Sequence, residues 1–201
     1  MAFTPCNRYG IAGIIDDEGR HIIADDIRHA IWRGRAFWFS HRFAAVTVAG
    51  TADILLDPSA NDTKAVLRLA LDIETGVDCT VGIYEDPTAS AAGTELIAYN
   101  LNRNGDPSMS RAGAVYHSPS VSTAGALAAP LAYVAAHTPT DITWQGVMGS
   151  VGAGDVARSP FPEIYLNRAK KYLIRVTNAG AAAGDIVVSG RLIREPNYYE
   201  G

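Results

Sequence analysis

The stretch KAVLRLALDIE, residues 64–74, places Leu67, Leu69, Leu71 and Ile73 at every second position, with Arg68, Asp72 and Glu74 between them. Period two is the repeat of an extended strand with one dry face and one wet face, and a helix would scatter those leucines around its axis. The same period returns in DCTVGIY, where Cys79, Val81 and Ile83 share a face. The short break at Thr75-Gly76 between the two runs reads as a hairpin. FAAVTVAGTADILL is rich in β-branched and aliphatic residues, with Gly50 as a bulge or turn. Further strands are expected at 95–99, 113–117, 129–135, 141–147, 171–178 and 186–194. Turn chemistry separates them: Asp86-Pro87, Gly105-Asp106-Pro107, Asn178-Ala179-Gly180 and Ala183-Gly184-Asp185. About eight to ten strands at such spacing predict a mainly β chain, an antiparallel β-sandwich or jelly roll.

Before residue 36 the pattern is different. Gly10, Gly13, Gly19 and Gly34 interrupt an irregular N-terminal arm, residues 1–35, in which a helical turn or two could follow Asp25 or Asp26. The sandwich body is expected over residues 36–201, with a long loop at 148–163 and neither an internal repeat nor an interdomain linker.

A chain of 201 residues, 48% apolar and 19% charged, suits one domain with a sizeable core. The formal net charge of −4 argues against a broad nucleic-acid surface, which needs a basic excess. No apolar run approaches the ~20 residues that cross a bilayer. The start, MAFTPCNRYG, lacks the basic-then-apolar order of a secretory signal. Cys6 and Cys79 form no CxxC pair and read as two reduced thiols. The sharper alternative is a disulfide from the arm to the body or to a neighbouring subunit.

Catalytic apparatus is missing from the pattern. His21, His29, His41, His117 and His137 form neither HxH nor HExxH, and the Asp25/His29 spacing recurs by chance. IIDDEG groups Asp16, Asp17 and Glu18 without the alternating oxygen ligands of a calcium loop. No G-x-S-x-G elbow occurs, and GVMGSVGAGD has neither a P-loop ending nor a βαβ context. No catalytic residue, cofactor or metal is therefore expected. In IWRGRAFWF, Trp32, Phe37, Trp38 and Phe39 interleave with Arg33 and Arg35. In an acidic chain such a segment is better suited to packing against protein than to base stacking.

AYNLNRNGDP, residues 98–107, sets Asn100, Asn102, Arg103 and Asn104 behind an apolar stretch. Asparagine side chains satisfy backbone groups and tolerate left-handed angles, so this cluster reads as a structural strand end. Arg103 is expected to clamp the loop on a carboxylate.

Several segments together resemble a family of tailed-bacteriophage virion proteins, described as capsid decoration (cement) or head-fibre-like proteins. They are DDEGRHII with HAIWRGRAFWFS, VGIYEDPTASAAGTELIAYNLNRN, and EIYLNRAKKYLIRVTNAGAAAGDIVVSGRL. The matching residues are Tyr84, Glu85, Gly93, Asn100, Asn102, Arg103, Tyr172, Leu173, Arg175, Thr177 and Asn178, and the resemblance spans roughly residues 14–195. It departs at the end, where Pro196 interrupts REPNYYEG. It implies a non-enzymatic virion protein that forms a homo-oligomer, a trimer before a dimer. It also implies binding to the major capsid protein on the assembled shell, without direct contact to nucleic acid or membrane. A neck or tail position is the alternative within the same family. The partner-interface candidates are Trp32, Phe37 and Trp38, the arm's aromatic anchors, with Arg33 among them, and Asn100, Asn102 and Arg103, whose loop the resemblance implies to lie near a subunit contact. A separate possibility is a carbohydrate-binding sandwich using Tyr133, Asp141 and Trp144.

Overall fold

The computed structural model describes residues 13–15, 21–23, 26–58, 65–102, 104, 114–129, 131–134, 164–167 and 169–196. The elements in chain order are β1 (Gly13–Ile15), β2 (His21–Ile23), α1 (Asp26–Trp32), β3 (Ala36–Val46), β4 (Thr51–Asp57), β5 (Ala65–Thr75) and β6 (Cys79–Glu85). After these come β7 (Thr88–Ala91), β8 (Thr94–Leu96), β9 (Tyr99–Asn100), β10 (Ala114–His117), β11 (Ser120–Thr123), β12 (Ala126–Leu127) and β13 (Ala132–Val134). The last three are β14 (Ile164–Leu166), β15 (Tyr172–Asn178) and β16 (Gly184–Pro196).

Two antiparallel sheets dominate. One runs β12-β6-β15-β4-β10-β8, with β13 also on β6, and the other runs β14-β5-β16-β3-β9. Between them lies one apolar core. Ile54, Leu56, Val81, Ile83, Val115, Ile174 and Val176 enter it from the first sheet, and Phe37, Phe39, Leu67, Leu69, Leu71, Ile186, Val188 and Leu192 from the second. Each such side chain, fully buried, contributes about 1.5–3 kcal/mol. The period-two faces around Leu67 and Cys79 are thus both core faces, as their alternation predicts. The molecule is mainly β, as expected, and its sheets are stacked as in a sandwich.

The expected hairpin at Thr75-Gly76 is not formed. β5 pairs with β14 and β16, whereas β6 pairs with β15, β12 and β13. The connection arches from one sheet to the other, as do β3 to β4 and β15 to β16. Both strands flanking an arch present apolar residues to the same core from opposite sides. Alternation is identical in a hairpin and an arch, so the pattern cannot tell them apart. Thr75 holds the arch, with its hydroxyl donating to the Val77 carbonyl at 2.6 Å and accepting from the Val77 N–H at 3.1 Å.

The expected strand at 95–99 is split. Its first part, β8, pairs with β10, and Tyr99–Asn100 crosses to pair with β3 in the other sheet. The expected strand at 141–147 and the loop at 148–163 lie outside the described residues.

Helix α1 packs on the outer face of the second sheet. Ala30 joins Ala36 and Ile193 in a small cluster flanked by Ile27, Ile31 and Leu101. The end of the arm is therefore seated on the body through a few aliphatic side chains.

Candidate partner-binding surface

The strand end that opens onto AYNLNRNGDP sits beside the end of α1. Asn100 is 5% exposed, and its Nδ2 donates to the Gly34 carbonyl at 3.1 Å. Its Oδ1 accepts from the Asn102 N–H at 2.8 Å. The Asn102 Nδ2 in turn donates to the Trp32 carbonyl at 2.9 Å, and its Oδ1 accepts from the Asn104 N–H at 3.0 Å. Leu101 N–H closes onto the Ala36 carbonyl. Each asparagine bridges its own turn to the last carbonyls around α1, groups the helix cannot satisfy internally. The polar cluster thus holds a corner in one geometry. Among its described residues no proton-transfer pair is formed.

Around this corner the large apolar side chains face outward. Trp32 is 56% exposed, Tyr99 59% and Ile97 52%. Trp38 is half-buried on the outer face of the second sheet, opposite Tyr99 across the β3–β9 pair. Arg33 is exposed beside Trp32. The structure therefore brings together Trp32, Arg33, Trp38, Asn100 and Asn102 from segments some 60 residues apart in the chain. Phe37 is separated from them: it is 4% exposed and points into the core between the sheets. Alternation along β3 sends Phe37 inward and Trp38 outward. Arg103 lies outside the described residues, as do Trp144 and Asp141, while Tyr133 stands exposed on the far edge of the first sheet.

Three further features take their partners from distant parts of the chain. The Arg175 guanidinium grips Asp53 with two bonds, Nε to Oδ1 at 2.9 Å and Nη2 to Oδ2 at 2.7 Å, and the carboxylate raises the guanidinium pKa further. Asn178 is 1% exposed and bonds Val46 O, Ala182 O and the Gly180 N–H, tying two arches together. His41 of β3 and His117 of β10 stack across the mouth between the sheets, ring centroids 3.8 Å apart, with Phe43 edge-on to His41. Burial, and then the charge of His117, push the His41 pKa below its ordinary value.

Among the described residues no group of three or more His, Cys, Asp or Glu could hold a metal ion. Asp16, Asp17, Glu18 and Asp25 lie outside them. Cys79 is a free buried thiol whose pKa burial pushes up, and its Sγ lies 3.2 Å from the Thr75 hydroxyl. No helix among the described residues is long and apolar enough to cross a membrane. No protein-family model, curated protein or solved structure matches the chain.

Proposed function

We propose that this chain is a structural virion protein that self-associates and binds the surface of an assembled bacteriophage capsid. In this role it acts as a decoration or cement protein of jelly-roll type, with the neck or tail as the alternative station. The reading starts from the sequence resemblance. The structural observation that supports it is the corner around Trp32, where exposed aromatic side chains stand on backbone fixed by Asn100 and Asn102. Interfaces draw most of their energy from a few aromatic and arginine anchors, and an anchor already held in place loses less entropy on docking. A protein that binds the assembled shell in preference to free subunits stabilises the shell by mass action.

The test is co-sedimentation with assembled shells of the encoding phage, against the same capsid protein unassembled. Shell-selective binding, weakened in Trp32→Ala and Tyr99→Ala, is expected. Binding to neither form, or binding to immobilised glycans alone, would overturn the reading.

A further inference from the structure

Two short stretches carry one pattern. YEDPTASAAG at 84–93 and YHSPSVSTAG at 116–125 share Tyr, Pro, Ser, Ala and Gly at the same places. No repeat was expected from the sequence, yet the structure repeats with it. Each stretch ends a strand of the first sheet, β6 or β10. Each turns at a residue of positive φ before proline, Asp86 at 56° or Ser118 at 53°. Each then forms one strand of the β7–β11 ribbon, turns at Gly93 (φ 97°) or Gly125 (φ 92°), and ends in an edge strand. The edge strands are exchanged: β8 pairs with β10, Thr94 opposite His117, and β12 pairs with β6, Ala126 opposite Glu85.

The bonding follows the same symmetry. Asp86 N–H donates to Lys171 O at 2.9 Å, and Ser118 N–H to Asp53 O at 3.0 Å. Ser90 Oγ donates to Ser120 O, and Ser122 Oγ to Thr88 O. In the two central strands Leu55 faces Leu173, and the ion pairs Asp53–Arg175 and Asp57–Lys171 flank that contact on opposite sides. A pseudo-two-fold axis therefore passes between Leu55 and Leu173 and relates the two halves of the sheet.

The second residue of each stretch breaks that symmetry. Glu85 and His117 hold equivalent places, each just after the tyrosine. Glu85 is held within its own sheet: the hydroxyl of Tyr172, directly opposite, donates to its Oε1 at 3.2 Å. His117 reaches instead to the other sheet. Its ring stacks on His41 of β3, with centroids 3.8 Å apart and planes 18° from parallel. Phe43 stands edge-on to both rings, 4.6 Å from His41 and 6.5 Å from His117. The two half-buried rings close the side of the sandwich next to the core residues Phe39, Ile54 and Val188. Among the described residues β3 has a strand beside it on that side only at Phe37 and Trp38, where β9 pairs with it.

Among the described residues, the side chains opposite the two histidines carry no charge: Val188 on β16, Ile54 on β4 and Thr94 on β8. The charged residues next along the strands turn to the outer faces. Arg42 bonds Asp185 there, Asp53 bonds Arg175, Glu95 lies opposite Tyr116, and Arg191 lies opposite Trp38. The polar neighbour of His117 is the Ser118 hydroxyl, 3.2 Å from Nδ1. Burial, and then the charge of His117, oppose a proton on His41.

The strands that this stack joins also carry the aromatic corner. β3 runs back from His41 to Trp38 and Phe37, which pair with Tyr99 and Asn100. β8 lies against His117 and continues through Ala98, 4% exposed, into β9. The crossing from β8 to β9 is thus tied to the first sheet at one end and, by two residues only, to the second sheet at the other. Parting β3 from β10 pulls on that crossing.

We infer that the His41–His117 stack is an acid-sensitive latch, which holds β3 against β10 when neutral and, when both rings are protonated, parts them and loosens the β8–β9 crossing that carries Tyr99 and Asn100. Two imidazolium rings in a stack repel each other, and opening gives each of them water. The open form binds protons more readily than the closed one, so acid favours it. An ordinary histidine titrates at about 6.5, and the His41 pKa is lowered from there, so opening belongs below that pH. A pH control of shell binding follows, and that last step alone rests on the function proposed above.

The experiment is hydrogen exchange with mass-spectrometric readout on the full-length chain between pH 7.5 and 5.0, corrected for the intrinsic pH dependence of amide exchange. In the wild type, protection over 94–100 and 37–43 is expected to fall about tenfold or more on acidification, while 67–71 in the centre of the second sheet keeps its protection. His41→Phe, which stacks and cannot charge, is expected to stay protected throughout. If His41→Phe does not fold, His117→Gln decides, and its fall is expected to be well under that of the wild type. Glu85→Gln, at the twin position, is expected to behave as the wild type. Protection that does not change with pH, an equal loss over 67–71, or a wild-type loss in the deciding histidine variant overturns the inference. Shell binding is measured over the same pH range: pH-independent exchange in a chain that binds shells refutes the latch alone, and a working latch in a chain that binds none refutes the virion reading alone.

Discussion

The Asp53–Arg175 pair offers a measurement with its own control inside the molecule. Arg175→Met removes the guanidinium and leaves the Asp53 carboxylate, 9% exposed at its side chain, against a thioether. Orphaning one partner of a fully buried pair costs about 3–5 kcal/mol, because the remaining charge has neither water nor a counter-ion. The Arg175 side chain is 25% exposed, so some water reaches the pair. That lowers the expected loss to roughly 2–3 kcal/mol. The equivalent pair across the pseudo-two-fold axis, Lys171–Asp57 at 3.2 Å, has side chains 55% and 19% exposed. Lys171→Met should cost about 0–1 kcal/mol. For a chain of this size the Arg175 loss corresponds to a fall in Tm of roughly 4–12 °C. Replacing both residues, Asp53→Leu with Arg175→Met, should recover most of it, since a well-packed apolar pair often equals an ion pair. Urea and thermal melts of the four proteins decide the matter. Equal losses in Arg175→Met and Lys171→Met would refute the claim that burial makes the difference.

Lowering the pH should destabilise the fold before the carboxylates titrate. A histidine whose folded pKa lies below its unfolded value of 6.5 binds fewer protons when folded, so His41 contributes no pH dependence well above 6.5 and a growing loss as pH falls through its lowered pKa. The urea midpoint should fall between pH 7.5 and 5.5, and fall less in His117→Gln; a flat or rising midpoint would contradict this. Gly93→Ala and Gly125→Ala should each lose on the order of 1–3 kcal/mol from φ strain alone, and more from crowding. An added Cβ would stand 2.3 Å from His117 O or 2.1 Å from Glu85 O, so unequal losses by chemical denaturation would count against the repeat. Asn100→Ala strands the Gly34 carbonyl and the Asn102 N–H and should cost about 1–3 kcal/mol, with faster amide exchange at Asn102 and Asn104 as its local mark.

Much of the body could be read from the sequence because one face of each long strand is dry. Leu67 to Ile73 and Cys79 to Ile83 alternate so cleanly that strand type and inward face both follow. Which sheet a strand joins did not follow, since the arch at 76–78 and a hairpin leave the same alternation. Phe37 and Trp38 looked alike as aromatic anchors, and register alone separates the core residue from the surface one. The Asn100–Asn102 turn was legible because asparagine bonding to nearby backbone is local chemistry. Its bonds to Gly34 and Trp32 bridge 66 and 70 positions and were beyond any local pattern. The repeat was present in the letters, but five shared residues in ten are persuasive only once the two stretches exchange strands.

The proposed virion role is tested most directly by purifying any virus particles produced from the genome that encodes the chain and reconstructing them by cryo-electron microscopy. A decoration role predicts sandwich-shaped density on the outer shell, bridging neighbouring capsid subunits, with the α1–β9 corner and Trp32 turned toward the shell. Such density at the neck or tail would move the protein to its alternative station and keep the structural role. A virion with no copy of the chain, confirmed by mass spectrometry of purified particles, would contradict the account.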